Sequence, residues 1–158
     1  MENVVTAAKA EFDRAKGRLI RALETTPDDK INWTPAGTAR TPVQLVVHGG
    51  IGTSLVLGML QEKPFAYAGT SDFDSKSRLA EKEYNTREQA LAFLESTSGE
   101  FFAWLDTLTP EQVASTAETP FGPWPVAVAI TFPADHLRNH AGQIEYIQTI
   151  LGDHDWHL

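Results

Sequence analysis

Residues 135–144 read DHLRNHAGQI, with His136 and His140 four positions apart among apolar residues, Leu137, Ala141 and Ile144, that recur at helical spacing. At about 100° per residue the two imidazoles project from adjacent turns of one helix face. Followed outward, the pattern takes in Val126, Ala129, Pro133, His136, His140, Ile144, Ile147 and Leu151 as inward positions, and Gly152 supplies the stop. Pro133 inside the run predicts a kink, or a restart about one turn ahead of the histidines.

A third histidine occupies the same kind of place. Thr41-Pro42-Val43-Gln44 opens a helix with a capping hydroxyl, a proline suited to the first turn and a glutamine placed to reach back to the cap amide. The stripe that follows is Leu45, His48, Gly52, Leu55 and Met59. Gly49, Gly50, Gly52 and Gly58 lower helix propensity here but permit close approach of neighbours or leave room beside His48. Pro64 is the expected end.

Two more helices complete the set. Val5, Ala8, Phe12, Ala15, Leu19 and Ala22 form an apolar face from Asn3 to about Thr25, stopped by Pro27. Thr86-Arg87-Glu88-Gln89 repeats the capping pattern ahead of a seam of Leu91, Leu94, Ser98, Phe101, Leu105 and Leu108. Between Lys63 and Asn85 the chain is polar and far longer than the roughly 2–8 residues that join adjacent bundle helices, so it is expected to cross the bundle as a linker. A second loop is expected across Pro110, Pro120, Gly122, Pro123 and Pro125. The expectation is an all-α, four-helix bundle in up-down-down-up order, with a long crossover between the second and third helices and one domain over residues 1–158.

Buried imidazoles need hydrogen-bond partners or lose free energy, so three of them, His48, His136 and His140, point to something that binds them. A divalent ion held by facing helices is the simplest such partner. A polar core network bonded to side chains or water is the alternative. Three nitrogens favour zinc or nickel over calcium or magnesium and leave a coordination position open. Gln143, three residues beyond His140, and Gln44, four before His48, are candidates to orient an imidazole. His154 and His157 read as solvated tail residues, and Asp135, Arg138, Asn139 and Glu145 as bundle-surface residues. Trp33, Trp104 and Trp124 read as packing anchors and Ser98 as a small core residue.

Composition narrows the function. The absence of cysteine removes disulfides, thiolate ligands and cysteine nucleophiles. With 21 acidic against 13 basic residues the formal charge is −8, which disfavours nucleic acid. No membrane span and no signal peptide are read, so the expectation is a cytoplasmic protein.

The segments Ile31-Asn32-Trp33-Thr34-Pro35, Thr41 to His48, Thr119-Pro120-Phe121-Gly122 and Asp135 to Ile144 together resemble the DinB/YfiT-like family of bacterial four-helix bundles with a histidine triad. The resemblance implies the same bundle order, a zinc- or nickel-type ion on His48, His136 and His140, and a homodimer. It also implies a metal-dependent enzyme acting on a small molecule, with transfer of a low-molecular-weight thiol to an electrophile as the leading reaction. Metal-dependent hydrolysis and a non-catalytic metal-binding or dimerisation bundle are the alternatives.

Overall fold

Both predicted helix starts form as capping boxes. The hydroxyls of Thr41 and Thr86 accept from the backbone N–H of Gln44 and Gln89, whose side chains accept in return from the cap residues' own N–H groups. The computed structural model describes residues 2–157. In chain order its elements are α1 (Glu2–Thr25), α2 (Pro42–Leu60), α3 (Thr70–Glu81), α4 (Arg87–Leu105), α5 (Pro110–Val113), β1 (Thr116–Thr119), β2 (Gly122–Pro125), α6 (Val126–Ala129) and α7 (Phe132–Ile150). The four long helices α1, α2, α4 and α7 make the bundle.

Pairings across the bundle give its order. Glu11 meets Arg138, Arg18 meets Glu145 and the Ala22 carbonyl accepts from Gln148, at separations of 127, 127 and 126 residues, so α1 and α7 run parallel. Leu23 with Arg87, Lys16 with Glu95 and Lys9 with Asp106 widen from 64 to 79 to 97, so α1 and α4 are antiparallel. On the far side α2 packs on both α4 and α7. The result is the up-down-down-up four-helix bundle.

The seam of the bundle is buried: Phe12 and Leu19 of α1, Leu94 and Phe101 of α4 and Leu137 and Ile144 of α7 recur at helical spacing as expected, whereas Val43 and Val46 of α2 are buried outside its expected stripe, in which Leu55 is only half-buried. Phe12 and Phe101 meet at 5.4 Å between ring centroids. Burying each such side chain contributes roughly 1.5–3 kcal/mol. By length and composition α2 passes for a membrane span, with mean hydropathy 1.6, but 67% of that window is buried against its neighbours.

Three local expectations need correction. The crossover is not a plain linker, because α3 occupies Thr70–Glu81 within it. Its buried residues are Ser77 and Glu81, so no apolar period marks it, and Lys76–Asp72 and Arg78–Asp74 pairs one turn apart support it instead. Next, the expected loop over 110–125 holds α5 and an antiparallel hairpin in which Ala117 pairs with Trp124 and Thr119 with Gly122. Thr109-Pro110-Glu111-Gln112 caps α5 as Thr41 caps α2. Finally, α2 ends at Leu60 rather than at Pro64, the chain turning through Glu62 at φ 56°. At Pro133 the restart is what forms: α6 stops at Ala129, and α7 begins with the proline in its first turn, where no amide is missed.

Candidate metal centre

Two helices bring the histidines together. His48 projects from α2, and His136 and His140 from successive turns of α7, where it lies against α2. Glycines set this close approach: a Cβ on Gly49 would stand 2.7 Å from the Leu137 side chain, and one on Gly52 only 2.5 Å from Nε2 of His136. The His136 ring therefore rests on the bare backbone of α2.

The ring centroids lie 5.2 Å apart for His48 and His136, 5.0 Å for His48 and His140, and 4.3 Å for His136 and His140. Each ring offers one nitrogen to a group whose members all lie within 4.8 Å of one another. The Nε2 atoms of His136 and His140 face each other at 3.0 Å.

The outer nitrogens are occupied. His48 Nδ1 lies 2.8 Å from a carboxylate oxygen of Glu81, and His140 Nδ1 2.7 Å from the amide oxygen of Gln143. Both oxygens accept, so each Nδ1 donates, and the Nε2 of His140 is left facing His136. Burial pushes His136 down to about 3, helped by His140 and His48 beside it, and His140 down to about 4 against the opposing bond to Gln143. These two rings are neutral at physiological pH, the form that binds metal.

Glu81, only 1% exposed, reaches His48 from the end of α3. Burial alone raises a carboxyl pKa, but the bonds from His48 and Arg40 outweigh it and hold Glu81 below its ordinary value. Arg40 donates from Nε to Glu81 and from Nη2 to Asp74, each at 2.8 Å, and Asp74 also accepts from Arg78. Those two guanidinium groups bring Asp74 to about 2. The carboxylate that fixes His48 is thus itself fixed by a half-buried arginine.

The donor set suits a borderline divalent ion. Two nitrogens about 3 Å apart match neighbouring ligands of one tetrahedral ion bound at ~2.0–2.1 Å, all three donors are imidazole, and carboxylate and amide partners orient the outer nitrogens. His48, His136 and His140 would hold the ion, and with three protein donors a fourth position stays open.

Of the two glutamines singled out for orienting an imidazole, Gln143 does so. Gln44 does not: its amide oxygen accepts from Thr41 N–H at 3.0 Å in the cap, and Glu81 stands in the role instead. Sequence reading misses Glu81 and Arg40 because both lie outside the apolar stripes. The signal that was available is the pairing of Ser77 with Glu81 on one face of a short helical segment. His154 and His157 stay in the tail, where His157 bonds Asp153, and Glu145 and Arg138 make surface ion pairs with α1. Ser98 is buried and donates to the Leu94 carbonyl, and Trp33, Trp104 and Trp124 pack on the core.

Two clefts border the triad. The one at His140, about 490 Å³, is the more polar, with Arg40, Arg78, Asn139 and Gln143 on its walls beside Leu45 and Ile147. The one at His136, about 310 Å³, is aromatic.

Comparison with known proteins places this geometry. The DinB superfamily pattern matches residues 11–144. No curated protein matches the chain. Among solved structures it is similar to the sibling lethal factor precursor DfsB, with TM-score 0.74 and 18% identity over 93% of this chain and 96% of that one. It is also similar to YfiT from Bacillus subtilis, described as a probable metal-dependent hydrolase with an unusual four-helix bundle topology, with TM-score 0.73 and 19% identity over 94% of this chain and 87% of that one. A mycothiol-dependent maleylpyruvate isomerase matches with TM-score 0.72 and 9% identity over 89% of this chain and 60% of that one.

Proposed function

This chain belongs to the DinB superfamily, and on that footing we propose that it is a metal-dependent enzyme that transfers a low-molecular-weight thiol to an electrophile. The ring arrangement is the observation that carries the reading: Glu81 and Gln143 accept from the Nδ1 atoms of His48 and His140, and the Nε2 atoms of His136 and His140 face each other beside the His48 ring. Bound by His48, His136 and His140, a zinc- or nickel-type ion supplies the Lewis acidity that favours the deprotonated form of a thiol near neutral pH.

The chain's own groups do the rest. The rigid α2–α7 pair fixes the three rings, and the Arg40–Glu81 pair keeps His48 in one tautomer. The polar cleft at His140 offers guanidinium and amide groups to a hydrophilic thiol. In the transfer a carbon–sulfur bond forms, the thiol's proton passes to solvent, and the leaving group departs with the bonding electron pair. A likeness to a mycothiol-dependent enzyme supports this reading.

Hydrolysis is the second reading, favoured by the description of YfiT. It calls for a base beside the attacking water, and both oxygens of Glu81, the buried carboxylate beside the triad, are already committed to His48 and Arg40. Thiol transfer makes no such demand.

The test is incubation of zinc- or nickel-loaded protein with assorted low-molecular-weight thiols and an electrophile. Conjugation above the thiol-only background that is lost on chelation supports the proposal. Turnover without thiol supports hydrolysis, and metal-dependent melting with no turnover leaves a binding bundle.

A further inference from the structure

The cleft at His136 is unlike its polar counterpart. Phe65, Phe73, Phe121, Trp124 and Phe132 line it, and His136 stands on its wall. Phe65 meets Phe121 edge-on at 5.6 Å and 84°, and Trp124 meets Phe132 at 5.2 Å and 86°, while Phe121 lies nearly parallel to Trp124 at 6.0 Å and 19°. Phe73 continues the lining to within 6.1 Å of the His48 ring. Aromatic rings therefore line the cleft both at its mouth and beside the triad.

The hairpin builds the mouth. Gly122 at φ 99° turns the chain between the strands, and the Thr119 hydroxyl bonds both the Gly122 carbonyl and the Phe121 N–H. This tight tip holds Phe121 out with 45% of its surface exposed, an arrangement that costs hydration until something covers the ring. Trp124, two residues past the end of that tip, faces the same cleft.

Size and chemistry choose the occupant. An apolar cavity of about 150 Å³ holds benzene, so about 310 Å³ accommodates a fused two-ring body. A small polar molecule would surrender its hydration there among walls on which His136, Thr70 and Trp124 are the residues that carry a polar side-chain atom. A flat aromatic body instead completes the edge-to-face and stacked pattern that the walls already show.

We propose that this cleft is the subsite for the apolar, aromatic body of the substrate, presenting its reactive atom to the triad while the polar cleft receives the thiol. The assignment of the two roles rests on the thiol-transfer reading above. The binding of an aromatic body does not depend on turnover.

Prodan, a neutral naphthalene whose emission moves to the blue in apolar surroundings, is the probe, titrated into the full chain with and without nickel. Saturable, one-to-one binding with a blue shift is expected. Leu55→Trp fills the cleft from α2 and should weaken binding about tenfold or more. Phe121→Ala, at an exposed position that the fold does not need, should weaken it severalfold. Nickel uptake, followed in the same samples, should stay at the parent level in both variants, since neither residue holds a histidine. Absence of saturable binding, or binding undiminished in both variants, overturns the proposal. Binding that follows these expectations while no thiol conjugates to an aryl halide upholds the cleft assignment and removes the thiol-transfer reading.

Discussion

Replacing Gly52 by alanine should separate metal affinity from stability. The new Cβ would lie 2.5 Å from Nε2 and 2.6 Å from Cδ2 of His136, and ordinary contact begins at 3.4 Å, so the imidazole must retreat by about 0.9 Å. Metal–ligand distances tolerate only about ±0.2 Å, and the displaced atom is the donor itself. An affinity loss of about 10- to 100-fold for zinc or nickel is expected, about 1.4–2.7 kcal/mol. Stability should move little. What gives way is the end of a side chain, and an off-rotamer cost of about 0.5–1.5 kcal/mol is offset by the roughly 1 kcal/mol that alanine gains over glycine within a helix. Calorimetry reads both quantities: metal titrations for affinity, and thermal scans of metal-free protein for Tm, which should stay within about 3 °C of the parent. A variant that binds zinc as tightly as the parent would refute the placement of His136 over Gly52, and so would one whose metal-free form collapses.

Gly49→Ala should show the opposite pattern, since its Cβ meets Leu137 at 2.7 Å and Leu19 at 3.3 Å; overpacking of about 1–3 kcal/mol should lower Tm by several degrees. Glu81→Gln keeps the shape but removes the charge that holds His48, and should weaken zinc or nickel binding by about tenfold in a competition titration, whereas Glu81→Ala, which leaves half-buried Arg40 with Asp74 as its one carboxylate, should also destabilise the fold by about 1–3 kcal/mol in urea. Unaltered metal affinity in both would show that His48 needs no partner. For metal-free protein, His136 at about 3 and His140 at about 4 lie below the 6.5 of a free imidazole, so the unfolded chain takes up protons that the folded chain refuses. Stability is then full above pH 6.5 and should fall as pH drops from there toward 4 and 3, which urea midpoints across that range will show. Thr86→Ala should cost about 1 kcal/mol, seen as a Tm lowered by about 2–4 °C.

The bundle was legible because its seam is apolar at helical spacing: Phe12, Leu19, Leu94, Phe101 and Ile144 each fall where period alone puts them. The triad was legible for the complementary reason, that His48, His136 and His140 interrupt that seam with groups that need partners. What supports them was not. Glu81 and Ser77 are the buried face of α3, a helix whose core-facing residues are polar, so no hydrophobic period exists to detect. Gln44 illustrates the other difficulty, since one side chain satisfied two patterns at once, a cap and an imidazole partner, and the cap took it. The hairpin over 116–125 escaped because three prolines and a glycine mark turns well but conceal strands of four residues.

The strap between the two parallel downward helices does more than its topology demands. A helix of 19 residues is about 28 Å long, a distance that some nine extended residues would span. The chain spends residues 61–86 on the journey and uses the surplus to fold α3, which carries Glu81 to His48. An engineer who trimmed that detour to its minimum would keep every bundle contact and lose the anion behind the first donor. Shortcuts through this topology are therefore chemical edits, and a hairpin-looped bundle of the same four rods would have nowhere to house that carboxylate.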